Sequence, residues 1–299
     1  MASLQERRLA EFVDRDTEMA EFIQMLEQQE SRIMVLSGGG GLGKSSLIAR
    51  MMHECAQRKI YKAEVVSTDT RNKHYLEIMR KLREDIGQIK GLEYFSPFTD
   101  LVNYYTEQRY ELNVNVTGLR QSQISAGEGL SVSDNSSVGD VAGVIIKDLM
   151  LTAPREDLAV PEAERMTQLT DAFLQCLDNA TKDDRWVIFL DATEKLDKDT
   201  DQWLWDQLLS PVLDDEIPNV SFVISGRNEP ELKRDWSFCV TVETLKPLQF
   251  EHIALYLEKR GLPSEDILID AILEGSGGVP YEIASMVDGI LRRQRRRAG

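Results

Sequence analysis

Apolar positions recur along this chain in two rhythms, one of helical spacing and one of short unbroken runs. Met19, Phe22, Ile23 and Leu26 stand at i, i+3, i+4 and i+7, one face of a helix. Ile33-Met34-Val35-Leu36 is a run suited to a buried strand, and Leu47, Ile48, Met51 and Met52 return to helical spacing. Ala63 to Ser67 reads as a second strand, followed by a helix carrying Tyr75, Leu76, Met79, Leu82 and Ile86 on one side. Strand, helix, strand, helix is the order of a parallel sheet covered on both faces, with ligand at the carboxyl ends of the strands.

From about residue 91 to 161 the rhythm weakens. Leu112, Val114 and Val116 alternate ahead of a polar run from Ser131 to Asp140, as in an inserted hairpin or a surface loop. Met166, Leu169, Phe173, Leu174 and Leu177 restore a helix over Ala163 to Ala180. Trp186 to Glu194 reads as a buried strand ending in acid. Trp203, Leu204, Leu208 and Val212 follow on a helix, and Val220 to Ser225 makes a further strand running into Gly226-Arg227. Beyond Pro247 no strand is read: Phe250 to Lys259, Pro263 to Leu273 and Tyr281 to Arg293 are three helices separated by Gly- and Pro-bearing turns. The pattern predicts a core over residues 1–246, irregular at about 91–161, and a small helical domain over 247–299.

Composition narrows this further. With 42% hydrophobic and 29% charged residues, the 299-residue chain has the balance of a globular protein, and no apolar run approaches the ~20 residues that span a bilayer. Met1 to Arg8 is polar, unlike a secretory signal, so the expected location is cytoplasmic. Cys55, Cys176 and Cys239 have no paired spacing and are expected as reduced thiols rather than a disulfide or zinc framework. A net charge of -16 disfavours non-specific nucleic-acid binding by the body of the protein. The local exception is Arg292, Arg293, Arg295, Arg296 and Arg297. We read these as a solvated helix end, where cations favour the dipole, with contact to nucleic acid, an acidic partner or anionic lipid as the alternative.

The chemistry concentrates in Gly38-Gly39-Gly40-Gly41-Leu42-Gly43-Lys44-Ser45-Ser46, which fits a glycine, four residues, then Gly-Lys-Ser/Thr. It lies between a predicted strand and a predicted helix, the context that a phosphate-binding loop requires. Glycines let successive N–H groups point inward, and the helix N-terminus adds partial positive charge. Lys44 is placed to reach β- and γ-phosphates and Ser45 to offer a hydroxyl to Mg²⁺. Asp191, at the end of a buried strand, suits the same Mg²⁺ or a turn; Glu194 suits polarisation of an attacking water or plain solvation. Arg227, at the next strand end, suits a γ-phosphate contact or the surface.

Taken in order, these motifs resemble the signal-transduction ATPases with numerous domains, the STAND group containing NACHT and NB-ARC proteins. Phe12-Val13-Asp14-Arg15 is similar to the group's hydrophobic-Gly-Arg element, with Asp14 in place of the usual glycine. Leu190 to Glu194 resembles its second acidic motif, Ser225-Gly226-Arg227 its strand-end arginine sensor, and Gly278-Val279-Pro280 its Gly-x-Pro element. The resemblance, from residue 12 to about 290, implies a P-loop NTPase sheet followed by a helical lid. It also implies ATP or ADP with Mg²⁺, nucleotide contacts at Val13, Arg15 and Pro280, slow hydrolysis, and nucleotide-dependent assembly in signalling or defence. Full members usually add an effector and a repeat sensor, for which this chain has no room, so it is expected as a minimal member, an excised core, or a subunit whose sensor and effector are separate proteins, with self-association or such a protein as its partner. The alternatives are an AAA+-like DNA-associated ATPase that uses the arginine tail, and a P-loop phosphotransferase.

Overall fold

The computed structural model describes residues 12–28, 32–68, 73–106, 160–233, 236 and 238–298. It falls into two compact units, residues 1–94 with 177–299, and residues 95–176. The elements are α1 (Asp16–Gln28), β1 (Ile33–Ser37), α2 (Lys44–Gln57), β2 (Tyr61–Val66) and α3 (Tyr75–Lys90), then a 3₁₀ turn (Leu92–Phe95) and α4 (residues 96–106). They continue as α5 (Glu162–Thr181), β3 (Trp186–Asp191), a 3₁₀ turn (Thr193–Lys195), α6 (Lys198–Trp203), a π turn (Leu204–Leu208) and α7 (Ser210–Leu213). β4 (Val220–Ser225), β5 (Val240–Thr244), α8 (Phe250–Lys259), α9 (Asp266–Ser276) and α10 (Pro280–Ala298) complete the described chain.

All five strands are parallel, in the order β2-β3-β4-β1-β5. β1 and β3 are buried along their whole length, because helices cover both faces of the sheet and leave no side of a central strand for polar residues. Alternation then sorts side chains by face. Met34, Leu36, Val187, Phe189 and Val223 join Phe22, Met25 and Leu26 of α1 and Leu47, Ile48, Met51 and Cys55 of α2 in one apolar cluster. Ile33, Val35, Ile188, Leu190, Phe222 and Ile224 alternate with them and are equally buried. Each large side chain so enclosed contributes about 1.5–3 kcal/mol. A second cluster, around Ile253, Leu257, Ile269, Ile272, Ile283 and Val287, holds α8, α9 and α10 together.

The structure departs from the sequence pattern at definite places. β5 had no counterpart in the reading: Val240-Thr241-Val242-Glu243-Thr244 is an edge strand, half exposed, with no continuous apolar run. β3 ends at Asp191, as expected of the acid at the end of the buried run, and Ala192 then turns the chain through a left-handed conformation at φ 62. The helix expected around Leu204 is interrupted by a π turn, in which the Leu209 N–H reaches the Leu204 carbonyl at 3.0 Å just before Pro211, which has no N–H to give. Residues 92–106, placed in the irregular stretch, are helical. In the second unit Phe95 and Phe98 pack on Phe173 with ring centroids 5.9 and 5.4 Å apart. Leu112, Val114, Val116 and the polar run from Ser131 lie outside the described residues. Among the described residues no helix is long and apolar enough to cross a membrane.

Candidate functional site

The glycine-rich loop joins β1 to α2 at the carboxyl edge of the sheet. Gly43 caps α2 at φ 92, a left-handed conformation that frees the first N–H groups of the helix, so Lys44 and Ser45 open its first turn. The Lys44 ammonium donates to the carbonyls of Gly38 at 2.6 Å and Gly39 at 3.0 Å, which holds it against the loop. Its pKa lies below the ordinary lysine value, first through burial; Glu194 and Asp191 pull it back up, and Arg227 pushes it down. Glu194, Asp191 and Arg227 thus all act on the one Lys44 ammonium.

Asp191 ends β3 and is 6% exposed. Its Oδ2 accepts the Ser45 hydroxyl at 2.7 Å, and its Oδ1 accepts the hydroxyl of Ser225. Because β4 lies between β3 and β1 in the sheet, Ser225 is the natural bridge beneath the loop. Glu194 and Arg227 come together too: Arg227 Nε donates to Glu194 Oε1 at 3.2 Å. Its guanidinium reaches the loop, since a Cβ on Gly40 would lie 4.0 Å from Nη2. Ser46, in the same first turn, is exposed.

The segment that opens α10 rests on the loop. The Tyr281 N–H donates to the Gly41 carbonyl at 3.2 Å, and Pro280 Cγ lies 3.9 Å from where a Cβ on Gly43 would sit. Gly41, at φ +80, leaves room for this contact: a Cβ there would stand 3.0 Å from Val279 Cγ1. On the other side of the loop, Arg15 is 5% exposed, and its Nη2 donates to the carbonyls of Leu42 at 3.1 Å and Lys246 at 2.8 Å. Asp14 and Arg15 both adopt left-handed conformations, φ 63 and 79. A glycine takes that conformation freely, and Asp is among the few other residues that tolerate it. Val13 packs against the helical cluster, Lys259 Nζ donates to the Phe12 carbonyl at 2.6 Å, and His252 Nε2 stands 3.5 Å from Asp14 Oδ1. The Ser225 hydroxyl, the Lys246 carbonyl and His252 escaped sequence reasoning; only Ser225 lay inside a quoted motif. Arg292, Arg293, Arg295 and Arg296 are exposed on α10, about 18 Å or more along its axis from Pro280.

The donor set suits a nucleotide with a divalent cation. Lys44 and the N–H groups opening α2 could meet phosphates, and the Ser45 hydroxyl and Asp191 carboxylate offer hard oxygens at one point, as Mg²⁺ requires.

A glycine loop at the head of a parallel sheet, facing an acid at the end of the next strand but one, defines a P-loop NTPase domain. The chain belongs to the AAA ATPase domain family, whose model matches residues 11–211. That span takes in the loop, Asp191 and Glu194 and stops short of Arg227 and Pro280. No curated protein matches the chain. Among solved structures it is similar to Cdc6p from Pyrobaculum aerophilum, at 11% identity and a TM-score of 0.48, covering 95% of this chain and 63% of that one. A Walker-type ATPase of Pyrococcus abyssi is similar at 14% identity and 0.44, covering 96% and 76%. A STAND protein with a tetratricopeptide repeat sensor from Pyrococcus horikoshii is similar at 14% and 0.42, covering 90% and 28%.

Proposed function

We propose that this chain is an ATP-binding, slowly hydrolysing conformational switch of the STAND type, acting in signalling or defence through nucleotide-dependent assembly. Residues 1–246 form its nucleotide core and residues 247–299 its lid. The observation that carries this reading is the Tyr281 N–H on the Gly41 carbonyl, with Pro280 against Gly43: the lid touches the phosphate loop itself. A ligand that rearranges the loop then changes the seating of α10, which is the differential contact a switch needs.

Lys44 leaves the Gly38 and Gly39 carbonyls in part to meet β- and γ-phosphates, while Val13, Arg15 and Pro280 border the nucleoside end. Ser45 and Asp191 would hold Mg²⁺, which when bound would neutralise phosphate charge. Glu194 polarises the attacking water once Arg227 releases it for the terminal phosphate; while the pair at 3.2 Å persists, the carboxylate is engaged elsewhere and hydrolysis is slow. The test is to size the protein by light scattering without nucleotide, with ADP and with a non-hydrolysable ATP analogue, while measuring phosphate release from ATP. A mass that changes with nucleotide, alongside slow release, is expected. One mass in all three states, or fast multiple turnover without assembly, would remove the switch reading.

A further inference from the structure

Ser225 ends β4 with its side chain fully enclosed, at 0% exposure. Its hydroxyl donates to Asp191 Oδ1 and accepts the Ala192 N–H at 3.1 Å, while its carbonyl accepts the Thr193 hydroxyl at 3.0 Å. The direction of these bonds is forced. An amide N–H can only donate, so the Ala192 N–H takes a lone pair of the Ser225 oxygen and the single hydroxyl proton goes to the carboxylate. With Oδ1 committed to Ser225, Oδ2 is the oxygen left toward the phosphate loop, where it meets Ser45. The same hydroxyl pins the left-handed turn at Ala192, after which the chain delivers Glu194 to Arg227, two residues beyond Ser225 on the neighbouring strand end.

We propose that Ser225 is a positioning residue: it fixes the rotation of the Asp191 carboxylate and the turn that follows, so that the cation-holding acid and Glu194 move as one unit with β4. This rests on the reading of Asp191 as a Mg²⁺ ligand. Neither group needs Ser225 for its charge. Each needs it for its place.

The experiment titrates Mg²⁺ against binding of a fluorescent ADP analogue, and repeats the binding in EDTA, for wild type, Asp191→Asn, Ser225→Ala, Ser225→Cys and the Asp191→Asn/Ser225→Ala double variant. Cys fills the space that Ala would leave empty and weakens the donor, so the two variants err in opposite directions on packing while sharing the weakened hydrogen bond. Loss of a group that orients a metal ligand commonly lowers metal affinity by about 10–100-fold. The expected result is therefore a roughly tenfold or larger rise in the Mg²⁺ concentration at half effect for both Ser225 variants, with affinity in EDTA unchanged. In the double variant Ser225→Ala adds nothing to Asp191→Asn, as for two residues acting through one group. A normal Mg²⁺ dependence in the Ser225 variants beside a shifted one in Asp191→Asn overturns the positioning role alone. Equal losses in EDTA and Mg²⁺ make Ser225 a packing residue and overturn it too. A normal dependence in Asp191→Asn removes the ligand assignment and the proposal with it.

Discussion

Gly278→Ala tests whether the turn ahead of α10 is seated by a backbone contact that only glycine permits. Gly277 and Gly278 are adjacent, and both are left-handed, at φ +59 and +74. An alanine in that conformation costs about 1–2 kcal/mol at either position. The surroundings differ completely. A Cβ on Gly277 meets nothing within 4 Å, whereas one on Gly278 would press into the Leu248 carbonyl oxygen and stand 3.0 Å from Pro247 Cβ. It would also push apart the Leu248 N–H and Gly278 carbonyl, now bonded at 2.7 Å. Such crowding adds about 1–3 kcal/mol. Gly277→Ala should therefore lose about 1–2 kcal/mol and Gly278→Ala about 2–5 kcal/mol in urea denaturation, the difference isolating the contact. In hydrogen exchange the Leu248 amide should lose protection in Gly278→Ala alone. Equal losses in the two variants, with the Leu248 amide still protected, would show that conformation alone sets the cost and that the linker does not bear on Gly278.

Nucleotide affinity should fall as pH rises, and begin to do so below the ordinary lysine pKa, because burial already lowers that of Lys44. The sign follows from linkage: bound phosphate favours the charged amine, so affinity is full below the lowered pKa and is lost through it. In the free protein the unfolded chain holds more protons between that lowered value and the unfolded one, so the contribution of Lys44 to stability rises with pH across that window. Calorimetry of ADP binding from pH 7 to 10 checks this, with Lys44→Ala weak and flat throughout; a flat wild-type profile contradicts it. Arg227→Ala should weaken ATP binding more than ADP binding, since the guanidinium at the Gly40 edge of the loop is proposed to meet the terminal phosphate alone. Equal weakening of both nucleotides counts against that role.

What the sequence made legible follows the range of the interactions involved. The strands β1, β3 and β4 announced themselves as apolar runs because helices cover both of their faces. β5 did not, since an edge strand pairing only with β1 tolerates Thr241 and Glu243 half exposed. Lys44 and Ser45 were readable because a phosphate loop is local chemistry at fixed spacing. Asp191 was readable because a carboxylate at the end of a buried run is conspicuous. Arg15 was named for its likeness to a family element, yet nothing in its neighbours foretells a guanidinium bonded to the carbonyls of Leu42 and Lys246. The Asp14 and His252 contact is equally silent in sequence, because each residue alone is an ordinary surface polar group.

The Arg15 clamp also sets a timetable for synthesis. Its two carbonyl partners lie 27 and 231 residues further along the chain, and the helix whose Lys259 holds Phe12 comes later still. At about 5–20 residues per second, roughly 10–50 s separates the emergence of Arg15 from that of Lys246. During that interval the guanidinium has only Asp14, Glu18 and the loop to bind, and the segment carrying Val13 has no helical cluster to enter. The phosphate loop and its first strands are thus made long before the residues proposed to border the nucleoside. On the function proposed above, a nascent chain would meet nucleotide with half a site, and the order of synthesis rather than the fold would decide when that site is complete.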